Sequence, residues 1–305
     1  MSLAIDALPD VPPSLLGESP LWHPSEQVLY WCDIPGRSLN RWDPAGGQHA
    51  QWHFDSEPGC CAAVHGGGLL LALREGIVHF DPATGRRVEI AGAPYDPSVE
   101  RFNDGKTDLQ GRFWVGTIYE PRDAARAALY VLADAGLERV ADAITTSNGL
   151  AWSPDARTMY WADTKAHAVY ALDFDAASGS VSNRRSFLSF APRRSGEDLA
   201  GYGGRPDGAA VDTQGCYWVA MFEGARVLRV SPQGQVLQEL PLPVRCPTMP
   251  CFGGADLKTL YITTGRENRP AEELAREPLA GCVLHLRVEV PGLPANFVHL
   301  KEIRG

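Results

Sequence analysis

RFNDGKTDLQGRFWVGT, residues 101–117, sets the plan by which the rest of the chain reads. It has a polar head, a short strand, a turn and a second strand. Asn103 and Asp104 place two oxygen-bearing side chains where the unit begins. Gln110-Gly111 is a turn signal, because glycine adopts φ > 0 without steric cost. Phe113, Trp114 and Val115 then supply β-prone residues. The same plan recurs near residues 18, 60, 148, 207 and 251.

The second strands of these copies read LYWCD (29–33), LLLAL (69–73), RFWVG (112–116), TMYWAD (158–163), CYWVA (216–220) and LYITT (260–264). With Tyr30, Leu70, Phe113, Tyr160, Tyr217 and Tyr261 as register marks, the steps are 40, 43, 47, 57 and 44 residues. Six copies at this period predict an all-β fold, a six-bladed β-propeller spanning residues 1–305 as one domain. Third strands are predicted at 38–44, 76–82, 127–134, 168–175, 226–232 and 281–288. Weaker fourth strands follow at 48–54, 86–92, 137–143, 183–190, 235–242 and 295–303. Residues 3–11 offer an additional outer strand to close the ring on the last blade. The step of 57 marks a Gly- and charge-rich loop at 191–206, and residues 265–280 hold a second insertion with one or two helical turns.

Composition narrows the function. The formal net charge is −9, and no run of basic residues overrides it, so a nucleic-acid partner is not expected. No stretch approaches the roughly 18 apolar residues of a membrane helix. The first twenty residues lack the basic and long apolar regions of a secretory signal. Seven scattered Cys fit a reduced, cytoplasmic interior. There is no G-x-S-x-G nucleophile elbow and no phosphate-binding P-loop.

The blade heads are where chemistry is expected. Glu18 and Asn148 lie 12 residues before their marks, and Cys60, Asn103, Asp207 and Cys251 lie 10 before theirs. The difference is even, so side-chain parity along the ladder is kept. In a propeller the innermost strands line the central channel, so equivalent heads converge on one axis. Glu18, Asn103, Asn148 and Asp207 then supply two carboxylates and two carboxamides, an all-oxygen set suited to one hard divalent cation at the channel. Ca²⁺ is the first choice, with Mg²⁺ and Mn²⁺ as alternatives, and Cys60 and Cys251 keep Zn²⁺ open. The plainer reading of any single head is a polar turn cap.

GESPLWHP (17–24), the 101–117 stretch, SNGLAWSPD (147–155) and RPDGAAVDTQGCYWVA (205–220) resemble the motifs of the SMP-30/gluconolactonase family. The resemblance covers nearly the whole chain. It implies a six-bladed propeller holding one divalent metal and hydrolysing a small-molecule sugar lactone. On the family pattern Glu18, Asn148 and Asp207 are the metal ligands. Asp207 is also the catalytic base, and Asn103 faces metal and substrate. Arg101, Asn103 and Glu120 bind substrate, with Glu120 the match chosen in a loop of variable length.

A metal can polarise a lactone carbonyl, and a carboxylate beside it can take a proton from the attacking water. Two other readings stay open: a non-enzymatic Ca²⁺- or sugar-binding propeller, and an esterase or phosphoesterase on the same scaffold. Arg193, Arg194 and Arg205, in or beside the 191–206 loop, fit either an acidic substrate or plain surface exposure. Neither the sugar nor the oligomeric state follows from the sequence.

Overall fold

In the computed structural model, which describes residues 4–133, 136–194, 196 and 198–300, the chain forms six four-stranded sheets. They are the blades of a β-propeller, each antiparallel throughout. The inner strands are Gly17–Trp22, Pro58–Ala63, Glu100–Thr107, Ser147–Trp152, Arg205–Val211 and Pro247–Gly253. The second strands, Leu29–Asp33 and Leu69–Leu73 among them, are near-continuously apolar because neighbouring blades cover both faces. Outer strands such as Gln48–His53 are far more exposed. The aromatic marks pack between blades: the Tyr160 and Tyr217 rings lie 4.9 Å apart, and Phe113 joins Leu70 in one cluster.

Ring closure departs from expectation in one respect. The outer strand of the sixth blade is Asp6–Ala7, paired antiparallel with Leu284–Arg287. The start of the chain thus fills the place that residues 295–303 were expected to take; Leu3 and residues 301–303 fall outside the described residues. Residues 295–300 cross the ends of blades 2 and 3 instead. There the Val298 N–H donates to Ala63 O at 2.8 Å, Val298 O accepts from His65 N at 2.9 Å, and His299 N donates to Gly111 O at 3.0 Å. Both termini carry strand-like patterns, and only long-range geometry decides which one meets the open edge. The helix in the second insertion is Ala271–Arg276.

Blades 1, 3, 4 and 5 are braced in two ways. In blades 1 and 4 a carboxylate ends the second strand and reaches back to the segment leading into the head. Asp33 accepts from the N–H groups of Leu15 and Leu16, and Asp163 from those of Thr145 and Thr146. In blades 3 and 5 the carboxylate sits in the hairpin beyond the inner strand. Asp108 accepts from Trp114 Nε1 and Arg112 Nε, and Asp212 from Trp218 Nε1 and Arg229 Nε. Each carboxylate also caps backbone N–H groups of its own turn.

The Asp212 side chain is fully buried, so removing it strands three donors and an arginine. We expect Asp212→Ala to cost about 3 kcal/mol or more of stability, read as a shift of the urea midpoint. A loss below about 1 kcal/mol would mean that the hairpin carboxylate is dispensable.

Candidate active site

Every inner strand breaks its ladder at one end of the channel. The register shifts fall at Glu18/Leu21, Pro58/Cys60, Phe102/Gly105, Asn148/Ala151, Pro206/Ala209 and Pro247/Met249. A bulge bends the strand and re-aims a side chain. Four of these bulges carry Glu18, Asn103, Asn148 and Asp207. The other two carry Gly59 and Thr248, so the expectation for blades 2 and 6 needs correcting. Cys60 pairs across from Ala72 and Cys251 from Tyr261, further down the strands. Gly59 has no side chain to offer, and a Cβ there would collide with Phe102 O. Thr248 turns its hydroxyl to Gly17 O at 2.5 Å.

The four polar heads meet at the floor of a cavity of about 410 Å³, whose wall includes neither Cys60 nor Cys251. Arg101 Nη1 donates to Asn103 Oδ1 at 2.8 Å, and Asn103 Nδ2 donates to Asn148 Oδ1 and to Ser147 O, both at 2.9 Å. Asn148 Nδ2 in turn donates to Asp207 Oδ1 at 2.6 Å and to Thr164 Oγ1 at 2.8 Å. Thr164 donates onward to Pro206 O at 2.7 Å. The chain of bonds therefore runs across blades 3, 4 and 5 and fixes both carboxamides. Glu18 stands on the same floor and, among the described residues, has only a long contact from its neighbour's N–H, Ser19 N to Oε2 at 3.4 Å.

Glu120 sits one step back. It pairs with Arg74 at 2.9 Å and with Arg101 Nε at 3.5 Å. The sequence set is thus brought together, with Glu120 acting on the floor through Arg101. Sequence reading missed Thr164, Arg122, Lys165, His167 and Tyr202, all of which line the cavity. They lie in turns or loops that carry no strand period.

Charge is badly balanced on this floor. Burial pushes the Glu18 carboxyl well above the usual carboxylate range, and the neighbouring Asp207 and Asp104 push it further. Burial also raises Asp207 to about 8, with Arg205 pulling it back and Asp104 adding to the rise. Asp104 is itself buried, with Oδ2 accepting from Leu150 N and Oδ1 lacking a partner. No lysine or arginine forms an ion pair with Glu18 or Asp207 among the described residues.

A divalent cation fits this donor set. The donors are hard oxygens, two of them carboxylates that need a counter-charge. Asn148 Oδ1 keeps a second lone pair beside the one that Asn103 uses. Among the described residues there is no group of three or more His, Cys, Asp and Glu that could hold a metal ion, and carboxamides complete this set instead.

Comparison with known proteins gives the family and the fold. A model of the SMP-30/Gluconolactonase/LRE-like region matches residues 16–266. The chain is 47% identical over 281 residues to a 6-deoxy-6-sulfogluconolactonase of Pseudomonas putida, covering 92% of this chain and 94% of that one. It is 37% identical over 285 residues to the regucalcin of Danio rerio, covering 92% and 93%. The crystal structure of a calcium-binding protein, regucalcin, from Agrobacterium tumefaciens superposes with a TM-score of 0.90 at 26% identity, covering 98% and 99%.

The raised carboxyl groups carry a sign that can be measured. Asp207 holds its proton up to about pH 8 in the folded chain against 3.8 for the free group, and Glu18 is shifted the same way. A carboxyl that binds its proton more tightly when folded contributes most stability at low pH. In the metal-free protein that contribution fades as pH rises from about 4 towards 8. A cation that takes the proton's place should release protons on binding and bind more tightly as pH rises over that window. Calorimetric titration with Ca²⁺ at pH 7, in two buffers of different ionisation enthalpy, should show net proton release. A pH-independent affinity with no proton release would contradict this electrostatic account.

Proposed function

The chain belongs to the SMP-30/gluconolactonase family, and we propose that it is a hydrolase that opens a sugar lactone to the aldonic acid with the help of one divalent cation. The observation that carries the proposal is the buried, mutually bonded floor of Glu18, Asn103, Asn148 and Asp207. Glu18, Asn148 and Asp207 would hold the cation, with Ca²⁺ the first choice on the oxygen donor set. When bound, it would act as a Lewis acid on the lactone carbonyl and lower the pKa of water beside it.

The side chains then divide the work. Asp207 Oδ1 is engaged by Asn148 Nδ2, which leaves Oδ2 as the oxygen free to accept a proton. Water adds to the carbonyl carbon, its proton passes to Asp207, and the ring C–O bond breaks. The ring oxygen then takes the proton and leaves as a hydroxyl. Asn103 is held between Arg101 and Asn148, so its amide stays fixed beside the reacting group. Arg101 is anchored by Asn103, Phe102 O and Glu120 and presents a rigid fork of donors for substrate oxygens. Glu120 supports that fork; its carboxyl is held low because Arg74 and Arg101 outweigh the effect of burial.

Asp207→Asn keeps the size of the side chain and removes the proton acceptor. We expect kcat on glucono-1,5-lactone to fall by about 10³-fold, measured by acid release. A fall of less than about tenfold would remove Asp207 from the base role. Arg101→Ala should mainly raise KM. If the protein binds Ca²⁺ and sugar lactones but turns none of them over, it is a binding protein.

A further inference from the structure

The acidic floor faces a wall of opposite charge. Arg101, Arg122, Lys165, Arg193 and Arg205 all line the same cavity. Two of them are accounted for: Arg101 pairs with Glu120, and Arg205 with Glu223 at 3.1 Å. Arg122, Lys165 and Arg193 are exposed at the mouth and form no ion pair among the described residues. This is a chain with 28 basic against 37 acidic residues.

From this geometry we infer that Arg122, Lys165 and Arg193 bind an anionic substituent of the lactone, remote from its carbonyl, and make an acidic sugar lactone the preferred substrate. The inference rests on the lactonase reading of the floor and adds to it which class of lactone is taken.

Three features of the wall support it. The cations come from separate segments: the loop after Phe113–Tyr119, the turn after Thr158–Asp163, and the insertion before Arg205–Val211. Two of those segments are tied together, because His167 Nε2 and the Tyr202 hydroxyl are hydrogen-bonded at 2.6 Å. Arg193 and Arg205 both act on the Tyr202 phenol, and Lys165 and Arg205 both act on His167, so cations of the turn, the insertion and the inner strand gather around this clasp. Arg122 holds a left-handed backbone (φ 56°) that side chains rarely adopt.

Substrate chemistry completes the argument. A neutral hexonolactone offers only hydroxyls to the mouth and leaves three cations uncompensated. The carboxylate that hydrolysis creates forms at the former carbonyl carbon, on the floor, so it does not need the rim. In an acidic protein an anionic substrate gathers only where local cations override the overall charge. A phosphate, sulfonate or carboxylate at the far end of the sugar has the acceptor oxygens for such a cluster.

The test compares kcat/KM of the metal-loaded protein on glucono-1,5-lactone with its counterparts carrying phosphate, sulfonate or carboxylate at C6. We expect at least one anionic lactone to be preferred by about tenfold or more at low ionic strength. That preference should shrink as salt is raised to about 0.5 M. Arg193→Ala and Lys165→Ala should each reduce the ratio of anionic to neutral kcat/KM by about fivefold, and Arg193→Lys should recover part of it. The three anionic arms distinguish the substituents from one another. Equal turnover of neutral and anionic lactones, or a ratio unmoved by the variants, overturns the inference while leaving lactone hydrolysis standing. Absence of turnover on every lactone instead removes the lactonase reading, and this inference with it.

Discussion

Glu18 and Asp207 bring two like charges into one buried space because six inner strands converge on a common axis. Neither forms an ion pair with a side chain among the described residues, and burial, reinforced by the neighbouring carboxyls, makes both hold their protons tightly. The surroundings serve to keep this unfavourable pairing in place. Asp33 and Asp163 fix the backbone just ahead of Glu18 and Asn148. The Asn103–Asn148–Asp207 bonds then leave the carboxamides no freedom to turn away. Stability elsewhere in the propeller, in the buried second strands and inter-blade aromatic pairs, supports a site that is poor in stability by itself.

Much of the fold could be read from the chain because each blade repeats one local unit. Register marks, five of the six aromatic, at steps of 40 to 57 residues, with the heads ahead of them, located all six inner strands. The heads of blades 1, 3, 4 and 5 fall at bulges, which the spacing did not announce. Cys60 only borders its bulge and Cys251 lies beyond its own, because counting back from a mark assumes one spacing for all these blades, whereas Gly59 and Thr248 lie 11 and 13 residues before Leu70 and Tyr261. Blades 1 and 4 brace themselves through a carboxylate at the end of the second strand, while blades 3 and 5 use one in the hairpin. The hairpins of blades 1 and 4 are also longer than those of blades 3 and 5, which moves the mark relative to the head. Closure by Asp6–Ala7 was legible only as one of two candidates, since a strand pattern does not name its distant partner.

The cavity wall shows the same limit from the other side. Thr164, His167, Tyr202 and Arg122 owe their place to turns and insertions, where no period points inward. Their contribution emerges only when the loops are brought together over the channel. The outcome is a division of labour along one axis. The repeated strands supply an oxygen floor suited to a cation and a carbonyl, and the irregular loops supply a cationic rim suited to the rest of the substrate.

The central claim is that the four heads make a single cation site on which lactone hydrolysis depends. It is tested most directly by stripping the protein of metal and adding Ca²⁺ back while following glucono-1,5-lactone and a C6-anionic lactone together. The account predicts negligible turnover in the stripped protein and a rise in activity that saturates at about one bound cation per chain. Full turnover by the stripped protein, or cation binding that leaves the rate unchanged, would contradict it.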